Sequence, residues 1–291
     1  MPNKGIPYTQ AVYEAVRNAD EPMTFAEIAA AVQEMPVRPS PRPERAIRTA
    51  LRNSLLIAQN PDDRYASVLW LLKGATLRHT LTERELNEGS LRLGPDVAYA
   101  LFPFIYAPRR GFARPCHLYL EQGPLFSQPL ERLDGAAVGI QPCDALAEWY
   151  DAMGCRAGDS LLFEVTDAEG GIYHVFLQSP VARDEERLAK RNAELASAMG
   201  QALARRRAPC PLHALMPSLV AQGVYHEPYP PAPLEVVAQR APSFEVAGGK
   251  VRAVSQPPLE TAYLPGLSPP PRQEPRPARR GFWERLFGRK S

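Results

Sequence analysis

The sequence predicts an α+β chain of several units in series, and three observations carry that reading. Residues 1–80 show three short helical periodicities followed by a strand–turn–strand pattern. Residues 81–182 alternate like strands around one embedded helix, as in a small β-barrel-like domain, and a long amphipathic helix over 183–207 follows. The third is proline: 32 in 291 residues, about twice the usual ~5% share. Sixteen of them lie between Pro209 and Pro277. Such a composition predicts a disordered, Pro-rich linker over 208–278, ahead of a short tail at 279–291.

The first unit can be read residue by residue. Val12, Ala15 and Val16 share one face of a helix over 9–18. Thr24-Phe25-Ala26-Glu27 has the form of a capping box and starts a second helix, whose buried stripe is Ile28, Ala29 and Val32. The loop PVRPSPRP at 36–43 leads into a third helix, where Pro43 suits the first turn, and that helix runs to Asn53. A hairpin follows: a strand at 55–58, a turn at Asn60-Pro61-Asp62-Asp63, and a strand at 65–71.

This order, carried by AVYEAV, PMTFAEIAAAV, AIRTALR and DDRYASV between Tyr8 and Gly74, resembles the HARE-type and related winged helix-turn-helix domains of bacterial and eukaryotic DNA-associated proteins. The resemblance implies contact with duplex DNA through the third helix. The residues agree with it. At 100° per residue, Arg45, Arg48, Thr49 and Arg52 fall within one arc, opposite Ala46, Ile47, Ala50, Leu51 and Ser54. An apolar face that docks and an arginine face that projects are what insertion into the major groove requires. Arg38 and Arg42 in the preceding loop and Arg64 on the hairpin are candidate backbone contacts. The competing reading is a solvated helix face on a protein-binding winged helix.

In the second unit, 116–121 and 136–140 read as strands, and Leu146, Trp149, Tyr150 and Met153 mark a helix over 144–153. The run from Gly154 through Gly158-Asp159 into the strand Leu161–Val165, turning at 167–171 into a strand at 172–177, resembles the closing half of B3-like DNA-binding pseudobarrels. The charge departs from that family's pattern. Residues 81–182 carry 7 basic and 14 acidic side chains, against 10 and 8 in residues 1–80. A domain at −7 repels phosphates, so nucleic-acid contact is expected at the basic ends of the chain. In the helix over 183–204, Leu188, Leu195, Met199 and Ala202 form a partly heptad-like row. Packing on the barrel is expected, with a homodimer through this helix as the alternative.

The tail carries Phe282, Trp283, Leu286 and Phe287 on one helical face, with Arg279, Arg280, Arg285, Arg289 and Lys290 around it. A dozen residues do not hold a helix alone in water. The pattern predicts a peptide that folds into a groove of a partner protein, with Phe282, Trp283, Arg285, Leu286 and Phe287 as contacts, in preference to an anionic membrane surface.

Signatures of catalysis are missing from the sequence. Gly248-Gly249-Lys250 lacks the first glycine and the hydroxyl of a phosphate-binding loop, and neither GxSxG nor HExxH occurs. Pro95-Asp96 could open a nuclease core, but Phe163-Glu164-Val165-Thr166 is not followed by the lysine that chemistry needs. Cys116, Cys143, Cys155 and Cys210 follow no zinc spacing and fit reduced thiols. No run approaches the ~20 apolar residues of a membrane span. The expectation is a cytoplasmic, bacterial-type, non-enzymatic DNA-binding protein of gene regulation or genome maintenance, without a cofactor and with a partner for its tail. The alternative is an adaptor whose winged helix and tail both bind proteins.

Overall fold

The computed structural model describes residues 5–106, 115–133, 137–204, 206 and 208–254. The predicted tail contacts Phe282, Trp283, Arg285, Leu286 and Phe287 lie outside the described residues, as does the predicted linker from 255 onward. The architecture is α+β, with several open sheets and two hydrophobic cores.

The smaller core belongs to α1 (Tyr8–Arg17), α2 (Phe25–Gln33) and α3 (Pro43–Asn53), followed by the antiparallel pair β1 (Ile57–Gln59) and β2 (Tyr65–Ser67). Ala11, Val12, Ala15 and Val16 of α1 close on Ile28 and Val32 of α2 and on Ile47, Ala50 and Leu51 of α3. The Thr24–Glu27 capping box forms in both directions and fixes where α2 begins. After β2 the chain turns at once into α4 (Val68–Leu72), so the predicted strand over 65–71 stops at Ser67. Val68, Leu69 and Leu72 point into the larger core, and a helical turn buries all three where a strand would split them between faces.

The larger core lies under a five-stranded sheet, and its elements follow in chain order. They are β3 (Thr76–Thr80), α5 (Glu83–Glu88), β4 (Leu91–Leu93), α6 (Pro95–Leu101), β5 (Pro115–Leu120), β6 (Leu125–Pro129), β7 (Glu131–Arg132) and β8 (Val138–Ile140). Next come α7 (Asp144–Met153), β9 (Ser160–Asp167), β10 (Ile172–Gln178) and α8 (Glu185–Ala204). The order across the sheet is β3-β9-β10-β5-β6, with β10 parallel to β5 and the other neighbours antiparallel. Residues 76–80, grouped by sequence with the first unit, are therefore an edge strand of this sheet: Leu77 and His79 pair with Phe163 and Leu161. A separate three-stranded sheet runs β4-β8-β7. The expected barrel is not formed, because no sheet among the described residues closes on itself. Gly154 ends α7 at φ +64°, the left-handed turn that glycine adopts without steric cost.

The largest departure from expectation is at 208–254. The Pro-rich composition predicts a semi-extended linker there, yet the segment folds into β11 (Cys210–Pro211), α9 (Met216–Ala221), α10 (Leu234–Arg240), β12 (Phe244–Ala247) and β13 (Lys250–Ala253). Leu212, Leu215, Met216, Leu219, Tyr225, Leu234, Val237 and Val251 are buried in the larger core against Leu195 and Met199 of α8. Proline removes donors, so such a segment needs partners for its remaining backbone groups. Side chains of β3, α6 and α8 supply them. Arg191 donates to the carbonyls of Tyr229 (3.1 Å) and Val224, Asn192 accepts from Ala232 N (2.8 Å), and Asp96 accepts from Leu234 N (2.8 Å). Arg78 adds a bond to the Pro230 carbonyl and lies over the Tyr229 ring. The long helix thus packs on the larger core, the plainer of its two expected roles.

Candidate nucleic-acid interface

The candidate surface is the outer face of α3. Arg42 is its N-cap, with its own backbone N–H held by the Ser40 hydroxyl at 3.2 Å, and Pro43 occupies the first turn. Ile47, Ala50 and Leu51 are buried, whereas Arg45, Arg48, Thr49 and Arg52 are exposed, as the helical projection expects. Arg42, Pro43, Glu44, Arg45 and Arg48 line one open concavity. Glu44 places one negative charge inside it. Among the described residues, Arg42, Arg45, Arg48 and Arg52 form no ion pair with a carboxylate. Four guanidinium groups therefore stand along one helix face with their charges unspent.

Arg38 and Arg64 are exposed but already engaged. Arg38 Nε donates to the Gly5 carbonyl at 3.0 Å, beside the bridge that pairs Ile6 with Val37. Arg64 donates to the Pro22 carbonyl at 3.0 Å, and the Asn60 side chain accepts from the Arg64 backbone N–H at 2.9 Å in the hairpin turn. Near Arg64, the hydrogen bonds from Thr24 hold the Glu27 carboxyl below its ordinary value. Neither Arg38 nor Arg64 lines the concavity.

Phe25 was missed by the sequence reading. It is the first residue of α2, half-buried against the smaller core, and the Arg48 guanidinium lies 4.0 Å above its ring centre. The signal was present in Thr24-Phe25, because an aromatic side chain just after a helix cap stands at the edge of its unit. Also missed was a row of rings on the outer face of the five-stranded sheet. Tyr119, His174 and Phe176 stack with centroid separations of 5.1 Å and 6.4 Å.

The residues weighed for metal or nuclease chemistry do not converge. Asp96 is buried and holds Leu234 N, with burial raising its pKa, while Glu164 is exposed on β9. Among the described residues no three His, Cys, Asp or Glu side chains are grouped to hold a metal ion. The cysteines are free thiols, and burial pushes Cys155 up to about 11. No helix among the described residues is long and apolar enough to cross a membrane.

No family model matches the chain, and no curated protein matches it. A solved structure of a hypothetical protein from Arabidopsis thaliana is similar over 36% of this chain and 89% of that one, at 13% identity and a TM-score of 0.27. A likeness at that score carries no argument about what this chain is or does.

Proposed function

We propose that the chain is a DNA-binding protein of gene regulation or genome maintenance, in which α1–α3 and the β1–β2 hairpin act as a winged helix and α3 enters the major groove of duplex DNA. One observation carries the reading. α3 buries Ile47, Ala50 and Leu51 and presents Arg45, Arg48, Thr49 and Arg52 outward with no carboxylate partner. Unpaired arginines in a row are what phosphate neutralisation and guanine-edge recognition use. Arg42 extends the row at the helix start, and Arg38 and Arg64 flank it as backbone contacts. The tail at 279–291 is proposed to dock on a partner protein, and the setting to be a bacterial cytoplasm.

A second reading, an adaptor that binds proteins, draws on a different observation. Trp70 and Leu125 are each 53% exposed, and Tyr119 and Phe176 stand out on the sheet face. The two readings separate by salt. Each phosphate contact contributes about 0.9 to the slope of log K against log salt, whereas an apolar contact leaves affinity nearly flat. Anisotropy of the full chain on a labelled duplex across a salt series should show steep loss of affinity, and an Arg45→Ala/Arg48→Ala/Arg52→Ala variant should lose about 0.9 of that slope for each of the three that contacts a phosphate, about 1.8 to 2.7 in all. Flat binding, or binding untouched by the triple substitution, would favour the adaptor.

A further inference from the structure

The four unpaired arginines of the α3 surface are not equivalent. Arg42, Arg45 and Arg52 project without a carboxylate or a ring against them among the described residues, whereas Arg48 lies over Phe25 at 4.0 Å. The ring is a fixed ledge. Its neighbour Thr24 is tied into the capping box, Met23 exchanges two backbone hydrogen bonds with Tyr65 at 2.7 and 2.8 Å, and Pro22 accepts from Arg64 at 3.0 Å. Residues 22–25 are thereby held by α2 on one side and by the hairpin on the other.

Stacking uses the face of a guanidinium and leaves its five N–H donors free in the plane. Arg48 makes no hydrogen bond to any described residue, so those donors are uncommitted. A long side chain otherwise loses rotamer freedom when it is immobilised on a ligand, and a stacked one has lost part of it beforehand. Bidentate recognition of the guanine O6 and N7 edge demands a fixed fork. Phosphate neutralisation demands only charge nearby.

We infer that Phe25 is a positioning residue that presets Arg48 as the base-reading side chain of α3, with guanine as the base read, while Arg42, Arg45 and Arg52 neutralise phosphates. The inference rests on the DNA-binding reading above. It adds a division of labour that the helix projection alone does not contain, since Arg45, Arg48 and Arg52 share one arc.

The test uses the full chain and a pool of duplexes randomised at their centre, read by selection and sequencing, with salt-dependent anisotropy on a selected and a scrambled duplex. Wild type should enrich a guanine at one position. Phe25→Leu, which keeps apolar volume but removes the ring, and Arg48→Lys, which keeps charge but removes the fork, should each lower the preference for that guanine about 10-fold with the salt slope nearly unchanged. Arg45→Ala and Arg52→Ala should each lower the slope by about 0.9 and leave the preference in place. Phe25→Trp restores a stacking face and should restore the preference, and unchanged circular dichroism in Phe25→Leu keeps folding out of the comparison. A chain that binds no duplex at low salt sinks the DNA reading itself. Binding in which Phe25→Leu keeps the guanine preference, or in which Arg45→Ala removes it, overturns the assignment of Phe25 and Arg48 and leaves the DNA reading standing.

Discussion

Glu85 is the most connected buried carboxylate of the larger unit, and removing it has a calculable cost. Its side chain is fully buried and accepts from His79 Nε2 at 2.7 Å, Arg92 N at 2.7 Å, Thr82 N at 2.9 Å and Thr82 Oγ1 at 2.7 Å. One residue thus ties β3, the start of α5 and β4 together. In Glu85→Ala the Thr82 donors can turn to water, because Thr82 is exposed. The His79 ring and Arg92 N are left in the interior, at about 1–3 kcal/mol for each unsatisfied group. With the void added, the loss should be about 3–5 kcal/mol, a large part of the 5–15 kcal/mol that separates a typical domain from its unfolded state. Glu85→Gln keeps the shape but loses the charge-assisted bonds, for about 1.5–3 kcal/mol. Burial alone would raise the Glu85 pKa, but the bonds from His79, Arg92 N and Thr82, with the imidazole charge, outweigh it and hold the group below its ordinary 4.5. A lowered folded-state value means that the contribution is complete above that ordinary value and is lost as pH falls below it. The gap between wild type and Glu85→Gln should therefore hold from about pH 7 down to that ordinary value and narrow only as pH falls below it. Asp96, raised by burial, titrates with the opposite sign, so the difference between the two proteins is the quantity to follow. Urea denaturation followed by circular dichroism reads it. Glu85→Ala within about 1 kcal/mol of wild type, or a gap that widens in acid, would refute the reasoning.

Three further predictions follow from the packing. Arg191→Ala strips the donors from the Tyr229 and Val224 carbonyls and should cost about 2–4 kcal/mol by urea denaturation, with early proteolysis inside 222–233. At Gly139 an added Cβ would lie 1.8 Å from the Leu91 carbonyl oxygen across the β4–β8 pair, so Gly139→Ala should lower stability by about 2 kcal/mol or more, read as a fall in melting temperature. Thr24→Ala removes the cap of α2, which should cost about 1 kcal/mol and weaken duplex binding by disturbing the ledge under Arg48.

Where local rules govern, the residues announced the fold. The capping box at Thr24, Pro43 at the start of α3, and the two faces of α3 all follow from neighbours within one helical turn, and α7 spans the predicted 144–153. Long-range pairing was illegible. That β3 joins β9 depends on residues 80 to 88 positions apart, and no pattern within 76–80 names its partner. Proline content misled at 208–254 because composition counts breakers and not partners. The partners that hold this segment, the donors Arg78 and Arg191 and the acceptors Asp96 and Asn192, come from β3, α6 and α8. On the α3 surface the exposed arginines were visible from helical spacing. The ring under Arg48 was not, because it arrives from another helix, 23 positions earlier in the sequence. The sheet-face row of Tyr119, His174 and Phe176 was hidden in the same way, since it forms only when β5 and β10 pair in parallel.

The structure also decides what protein to measure. A fragment ending at residue 207 would expose the apolar side of α8 and remove Leu212, Leu219 and Leu234 from the larger core, so the whole chain is the material for a binding experiment. That experiment is fluorescence anisotropy on a random duplex of about 25 base pairs from low to moderate salt, with Arg45→Ala/Arg48→Ala/Arg52→Ala alongside. The account predicts micromolar or tighter binding that falls steeply with salt, and a triple variant that is folded but has lost most of its affinity and about 1.8 to 2.7 units of slope. A wild-type chain that leaves the duplex free at low salt, or a triple variant that binds as wild type does, would contradict it.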